Sequence, residues 1–271
     1  MNKITILGSG TSTGVPILGC NCKVCKSTEL RNKRFRTSAL IESSSQKKIL
    51  IDASPDLRTQ LLRNNTGALD AIIITHDHAD HTHGMDDLRP FGFKRGESLP
   101  VYTDASAAKD LKRKFPYIFD RDNYFSGKAI LGGGIPLLDL KVTQAGPETI
   151  VGESFEFFSL PHGYENTLGI LHQKMAYLVD CREIPEVALK RLSDAKLELL
   201  IIDCLRPNPH STHLHLDLTL EYIERIQPKT AVLTHMGHEW DYLDLVYQLK
   251  KRGVKNTFPA IDGQSFLYSN A

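Results

Sequence analysis

The run Ala71-Ile72-Ile73-Ile74 passes directly into Thr75-His76-Asp77-His78-Ala79-Asp80-His81, and this junction constrains the fold more than any other stretch. The apolar run reads as a buried strand. The six residues after Thr75 hold three histidines and two aspartates. A strand ending in His-x-His-x-Asp-His delivers imidazole and carboxylate groups to a loop that a rigid scaffold can hold in place. Those groups are the usual ligands of Zn, Mn and Fe. One tetrahedral catalytic ion takes only three protein ligands, so the density points to more than one metal. The alternative is a polar histidine-rich loop that binds metal loosely. The regular spacing directly after a β-like run argues against it.

Further strand-like runs fall at 4–7, 38–42, 48–51, 101–102, 154–160, 175–179, 199–202 and 230–233. Helix-like stretches fall at 55–64, 105–114, 185–195, 218–227 and 242–252, with Asp217 and Asp241 as candidate caps for the last two. The order is β-rich first and then alternating, which argues for a layered α/β protein and a single domain over 1–271. Gly132-Gly133-Gly134 with Pro136, and Gly146-Pro147, read as turns, and no long Ser/Pro/Gly linker separates independent domains.

Apolar residues make up 41% of the chain, enough for a sizeable core. A net charge of +1 gives no global basic field for nucleic acid or an anionic membrane, so nucleic acid is not the favoured partner. The start is too quickly polar for a signal peptide, and no window approaches the apolar length of a membrane span, so a cytoplasmic protein is expected. A homodimer is the prior expectation for a soluble enzyme.

The strand-like runs share one habit: potential ligands follow them directly. Asp52 follows Ile49-Leu50-Ile51, His162 follows Leu160-Pro161, Asp180 follows Leu178-Val179, and His235 follows Leu233-Thr234. Such positions can gather at one edge of a sheet, where loops build active sites. Any one of these residues alone is as readily a cap or a turn residue.

On these residues the chain resembles the metallo-β-lactamase-fold hydrolases. His76, His78, Asp80 and His81 match the family's His-x-His-x-Asp-His signature. His162, Asp180 and His235 match its later metal ligands in order, and Asp52 its early aspartate. The resemblance covers essentially the whole chain. It implies an α/β fold, a four-layer αββα sandwich, with a dinuclear site at one edge. It implies that His76, His78 and His162 hold one metal, that Asp80, His81 and His235 hold the other, and that Asp180 bridges them. Asp52 would fix a ligand by hydrogen bonding. A water shared by two divalent ions loses its proton near neutral pH and serves as nucleophile, and the ions neutralise the developing charge. Two active-site ions, Zn or Mn, are expected, since His and Asp suit several metals alike.

Cys20-Asn21-Cys22-Lys23-Val24-Cys25 offers three thiolates, and a structural tetrahedral zinc takes a fourth ligand. His238, three residues after His235, is the candidate. With Gly8-Ser9-Gly10-Thr11-Ser12-Thr13-Gly14-Val15-Pro16 and Gly19-Cys20, this trio narrows the resemblance to the PhnP-like phosphodiesterase branch, where such a zinc site is distinctive. A redox-active or free thiol group is the alternative. Cys181 and Cys204 each follow an apolar run ending in Asp and are expected to be buried thiols.

The resemblance also places a catalytic histidine twenty-two residues before the last active-site metal histidine. His213 meets that spacing, with His210 and His215 as alternatives. Its role would be to donate a proton to the leaving oxygen or to stabilise charge on the phosphorane. Asp80 would belong to the catalytic machinery as well as to the ligand set. His83 and His172 read as surface or packing histidines. Arg58 and Arg89 can hold a phosphate, but salt bridges within Asp56-Leu57-Arg58 and Asp86-Asp87-Leu88-Arg89 are the competing use. Lys33-Arg34-Phe35-Arg36 reads as a solvated basic loop rather than a nucleotide contact.

The expected function is therefore hydrolysis of small cyclic phosphates or nucleotide phosphodiesters by a dinuclear metal-dependent phosphodiesterase. Rivals on the same fold are a tRNA 3′-processing endoribonuclease, a PqqB-like protein, and a carbon-ester, thioester or lactam hydrolase. A non-catalytic metal or nucleotide-binding module is the rival outside enzymes. No long insertion suggests a tRNA-clamping arm, and the intact ligand set argues against the binding module.

Overall fold

A computed structural model describes residues 1–129 and 134–270. The strands run, in chain order, as β1 (Asn2–Gly8), β2 (Ser38–Glu42), β3 (Lys48–Ile51), β4 (Ala71–Ile73), β5 (Leu99–Thr103), β6 (Leu138–Val142), β7 (Gly146–Ile150), β8 (Glu153–His162), β9 (Glu165–His172), β10 (Met175–Leu178), β11 (Leu199–Asp203), β12 (Thr230–Thr234), β13 (Thr257–Pro259) and β14 (Ser265–Tyr268). Among the described residues they form two seven-stranded sheets, ordered β14-β1-β2-β3-β4-β5-β6 and β13-β12-β11-β10-β9-β8-β7.

Each sheet is antiparallel in one half and parallel in the other. The parallel runs are β3 to β6 and β10 to β13. Parallel strands are covered on both faces, and their sequences are correspondingly continuous apolar runs. Alternation then sorts each run between two layers. Ile49, Ile51, Ala71 and Ile73 point into the core shared with the second sheet, where Phe157, Ile170 and Tyr177 meet them. Leu50, Ile72 and Ile74 point the other way, under Leu57, Leu61 and Leu111 of the helices Leu57–Arg63 and Ala105–Lys114. On the far side of the second sheet lie the helices Glu186–Asp194, Leu216–Ile226 and Tyr242–Lys251. Two mixed sheets flanked by helices are the expected αββα arrangement.

Several local expectations need correction. Gly146-Pro147 is the start of β7, not a turn. Among the described residues β7 pairs only with β8, and an edge strand tolerates a residue that lacks an N–H. β9 carries no clear strand signal because Gly169 interrupts it. A Cβ there would lie 2.7 Å from Leu160 Cδ1, so glycine lets the Leu160 side chain pack over the strand. Asp241 caps its helix by accepting from Leu243 N and Asp244 N, whereas Asp217 lies inside the first turn of its helix and pairs with Arg252. The turn expected at Gly132-Gly133 lies outside the described residues. Cys181 and Cys204 are fully buried thiols.

Candidate active site

The site residues sit where the chain leaves the strands. Asp52 follows β3 with φ +61°, Asp180 lies just beyond β10 with φ +56°, and His235 follows β12 with φ +56°. Left-handed backbone at a non-glycine residue is uncommon and costs of order 1 kcal/mol or more. The surroundings hold it: Asp52 N donates to Ile73 O, and Met236 N, just after His235, donates to Ser9 O. The sharp turn at each position aims a side chain along the edge of the sandwich instead of across a sheet face.

Asp180 lies between two donor sets. Its Oδ2 is 3.7 Å from His76 Nε2, 3.9 Å from His162 Nε2 and 3.3 Å from His81 Nε2. Its Oδ1 is 2.9 Å from His235 Nδ1. On one side His76, His78 and His162 converge, with His162 Nε2 3.3 Å from His78 Nδ1. On the other side Asp80, His81 and His235 converge, with His81 Nε2 3.2 Å from Asp80 Oδ2. Despite this proximity, His76 Nε2, His81 Nε2, Asp80 Oδ2 and Asp180 Oδ1 are buried without a partner in hydrogen-bond geometry. Buried polar atoms are almost always satisfied, and orphans that converge on shared points are what a cation-binding centre leaves. The imidazole and carboxylate donors form two groups, each of a kind that could hold a divalent metal ion, and Asp180 belongs to both.

The electrostatics agree with a site built for positive charge. Burial pushes Asp180 up, but His235 and His81 hold it well below the ordinary carboxylate range. Burial pushes His81 down, yet Asp180, Asp80 and Asp52 around it hold its proton well above the usual imidazole range. His76, penalised by burial and by neighbouring His81, falls well below that range.

The ring orientations are set from behind. Asp52, fully buried, accepts from His81 Nδ1 at 2.7 Å, and Thr75 N and Oγ1 donate to the same carboxylate. His81 Nε2 is thereby left facing the site. His162 Nδ1 donates to Thr212 O at 2.9 Å and leaves its Nε2 in the same way. Such supports fix the tautomer and orientation of a ligating imidazole. Thr37 donates to Gly10 O and meets His235 Nδ1 at 2.9 Å.

His213 lies at the floor of the cleft, its ring stacked on His235 at 4.8 Å between centroids and edge-on to His162 at 4.8 Å. Its Nδ1 lies 2.9 Å from Oδ2 of fully buried Asp203. Burial pushes the imidazole down, but Asp203 overcomes this and brings it up to about 9. Asp203 escapes a reading of the sequence alone. The available signal was the shared pattern of an apolar run, here Leu199–Ile202, ending in Asp, as at Asp52 and Asp180. His210 braces the loop by accepting from Thr212 N, and His215 precedes the helix Leu216–Ile226 without capping it through its side chain. His83 is exposed against Phe115, and His172 is buried between Tyr268 and Glu153.

A cleft of about 380 Å³ opens onto these groups, lined by Ser12, His78, Asp80, His162, Tyr164 and His213 among others. Arg58 and Arg89 are not part of it. They line a separate cavity of about 470 Å³ with Asp86, Asp87 and Phe91, and Arg89 pairs with Asp86 at 3.5 Å.

His238 Nδ1 stands 3.4, 3.6 and 3.5 Å from the sulfurs of Cys20, Cys22 and Cys25. With Zn–S about 2.3 Å and Zn–N about 2.0 Å, tetrahedral ligands lie about 3.5 Å apart from nitrogen to sulfur, so the four residues fit a zinc. Backbone amides support two of the sulfurs, Cys25 N to Cys22 and Ile17 N to Cys25. Arg34 is buried here, not solvated as its basic run suggests. It donates to Gly237 O, Trp240 O and Asn32 Oδ1 and so ties down the loop that carries His238. Gly8 lets the N-terminal loop run against the same segment, since a Cβ there would lie 2.0 Å from Arg36 O.

Residues 47–236 match the Beta-lactamase superfamily domain. The octanoyltransferase of Porphyromonas gingivalis is 36% identical over 238 residues, 87% of this chain and 46% of that protein. The chain thus spans about half the length of that relative. A diphosphatase of the PhnP family, known as a crystal structure, superposes with a TM-score of 0.88 at 32% identity, covering 100% of this chain and 99% of that one. Zinc-bound PqqB from Methylobacterium extorquens is similar in fold, with a TM-score of 0.78 at 19% identity over 98% of this chain and 100% of that one.

Proposed function

We propose that this chain, which belongs to the beta-lactamase superfamily and to its PhnP-like branch, acts as a single-domain, metal-dependent phosphodiesterase on small cyclic phosphates or nucleotide phosphodiesters. The observation that carries the reading is Asp180 set between two imidazole-rich donor groups, with His213 facing the same cleft. His76, His78 and His162 would hold one divalent ion, Asp80, His81 and His235 the other, and Asp180 both. When bound, such a pair acidifies a water and neutralises charge on phosphate oxygens.

The rest falls to the chain's own side chains. Asp203 accepts a hydrogen bond from His213 Nδ1–H, which leaves Nε2 to the cleft, and its charge favours the protonated imidazole. That is the state of a general acid that protonates a departing alcohol oxygen. Asp52 and Thr212 hold His81 and His162 in their tautomers. Cys20, Cys22, Cys25 and His238 would hold a structural zinc that fixes the loop after His235. The diphosphatase likeness supports attack at phosphorus, because a diphosphate linkage also presents a phosphoryl group with an oxygen leaving group.

The octanoyltransferase likeness favours a second reading, cleavage of a carbon ester or thioester. Against it, the described residues that line the cleft are mainly Ser, Thr, His, Asp and Glu, with Tyr164 the one large apolar side chain, a poor wall for an acyl chain. The deciding assay is hydrolysis of bis(p-nitrophenyl) phosphate by Zn- or Mn-loaded protein beside a thioester and a β-lactam, with Asp80→Ala in parallel. Phosphodiester turnover lost in the variant supports the proposal. Thioester or lactam turnover without phosphodiester turnover overturns it.

A further inference from the structure

We propose that the tip of the β8–β9 hairpin and the groove behind it bind the nucleobase of a nucleotide substrate, an inference that rests on the phosphodiesterase reading. β8 ends at His162 and β9 begins at Glu165, so Gly163-Tyr164 is a two-residue turn directly after a residue of the metal cluster. Gly163 has φ +65°, and a Cβ there would lie 3.3 Å from Thr212 Cγ2. The tip is therefore pinned against the loop that carries His213, and His162 Nδ1 donating to Thr212 O holds the two together.

Tyr164 stands in solvent, at 109% relative exposure. A fully exposed ring on a tight turn costs apolar hydration and contributes nothing to the core. It also offers a rigid face with few torsions to freeze on binding. Its position makes that face useful. Tyr164 and Glu165 line the metal cleft and also a second groove of about 440 Å³. A ligand whose phosphate lies over Asp180 can thus continue past Tyr164 into the groove.

The groove's chemistry selects the group that enters it. Ser106, Gln144 and Asn166 bring exposed hydroxyl and amide groups to its wall. Among the described residues no lysine or arginine lines it, while Asp104 and Glu165 do. Asp104 is also committed to capping the helix Ala105–Lys114 through Ala107 N. A second phosphate is therefore disfavoured. A neutral planar group with hydrogen-bonding edges fits, stacked on Tyr164 and read by amides, as single bases are read elsewhere.

The test uses two esters with one leaving group, methyl p-nitrophenyl phosphate and p-nitrophenyl thymidine 5′-phosphate, on the metal-loaded full chain. Tyr164→Ala is expected to lower kcat/KM for the nucleoside ester by about tenfold more than for the methyl ester, mainly through KM, as loss of one stacked base predicts. Tyr164→Phe, which keeps the ring, should restore most of the difference. Equal losses on both esters, or none on either, overturn the subsite. If wild type cleaves neither ester, the phosphodiesterase reading fails, and thymidine 5′-monophosphate binding measured by calorimetry then decides. Binding weakened in Tyr164→Ala keeps the subsite, and binding unchanged or absent removes it.

Discussion

His213 Nδ1 and Asp203 Oδ2 meet at 2.9 Å beneath the cleft, the only carboxylate contact this imidazole makes among the described residues. The carboxylate favours a protonated ring at the cleft, the state that the proposed general acid requires. His213→Ala should lower kcat on phosphodiesters by about a hundredfold or more, the usual worth of a placed general acid, while metal content stays intact. Retained kcat would remove His213 from the mechanism.

Asp203→Asn tests the same pair through pH. A general acid acts while protonated, so the rate falls as pH rises through its pKa. Asp203 raises that pKa, to about 9 overall against the opposing effect of burial. Removing the charge should therefore move the basic limb of the kcat profile to lower pH. Bound cations would lower the limb in both proteins, so the displacement between wild type and variant is the quantity to read. A limb that stays in place would separate Asp203 from the proton transfer.

Asp52→Asn leaves a hydrogen-bond acceptor beside His81 but removes the charge that supports its Nδ1–H. Loss of such a support typically costs about ten- to a hundredfold in metal affinity. Competition with a chromophoric chelator should show one ion released early and the others held. Simultaneous loss of all metal would point instead to collapse of the fold around the buried Thr75–Asp52 contact.

In metal-free protein the cysteines should differ in reactivity. The Cys25 backbone N–H, the largest of several hydrogen-bond effects, brings the Cys22 thiol down to about 6, whereas burial brings Cys25 up to about 11. At pH 7 iodoacetamide should label Cys22 first and Cys25 slowly, and added zinc should protect both. Mass spectrometry after a timed quench reads the order, and faster labelling of Cys25 would contradict this picture.

Arg34→Met keeps the stem and deletes three donors to Gly237 O, Trp240 O and Asn32 Oδ1. Leaving these buried acceptors without a partner should cost about 2–4 kcal/mol in urea unfolding, on typical values for charge-assisted hydrogen bonds. A change under 0.5 kcal/mol, the size of a neutral surface substitution, would mean that water replaces the guanidinium.

Much of this site is legible in the sequence because its residues follow parallel strands, whose apolar runs are unmistakable. Asp52, His76, Asp180 and His235 all follow such a run. Their grouping comes from how the two sheets pack, which no local pattern states, and the family resemblance supplied it. Arg34 was opaque because a basic run looks the same whether water or main-chain carbonyls receive its donors. Tyr164 was opaque because an exposed ring differs from a buried one only once the hairpin is seen. β9 and β7 were hidden by Gly169 and Pro147, residues tolerated through close packing and an unpaired edge.

The stretch from His235 to His238 places one donor in each of two clusters. With only two residues between these donors, a shift at one end would be felt at the other, and binding at the two clusters would then be linked. Any free energy by which an ion at the sulfurs steadies His235 is returned, kilocalorie for kilocalorie, as tighter hold on the sulfur-bound ion when the catalytic ions arrive. On the proposed ligand sets, an ion held at the cysteines would favour loading of the second cluster, and its removal would weaken that cluster from a distance.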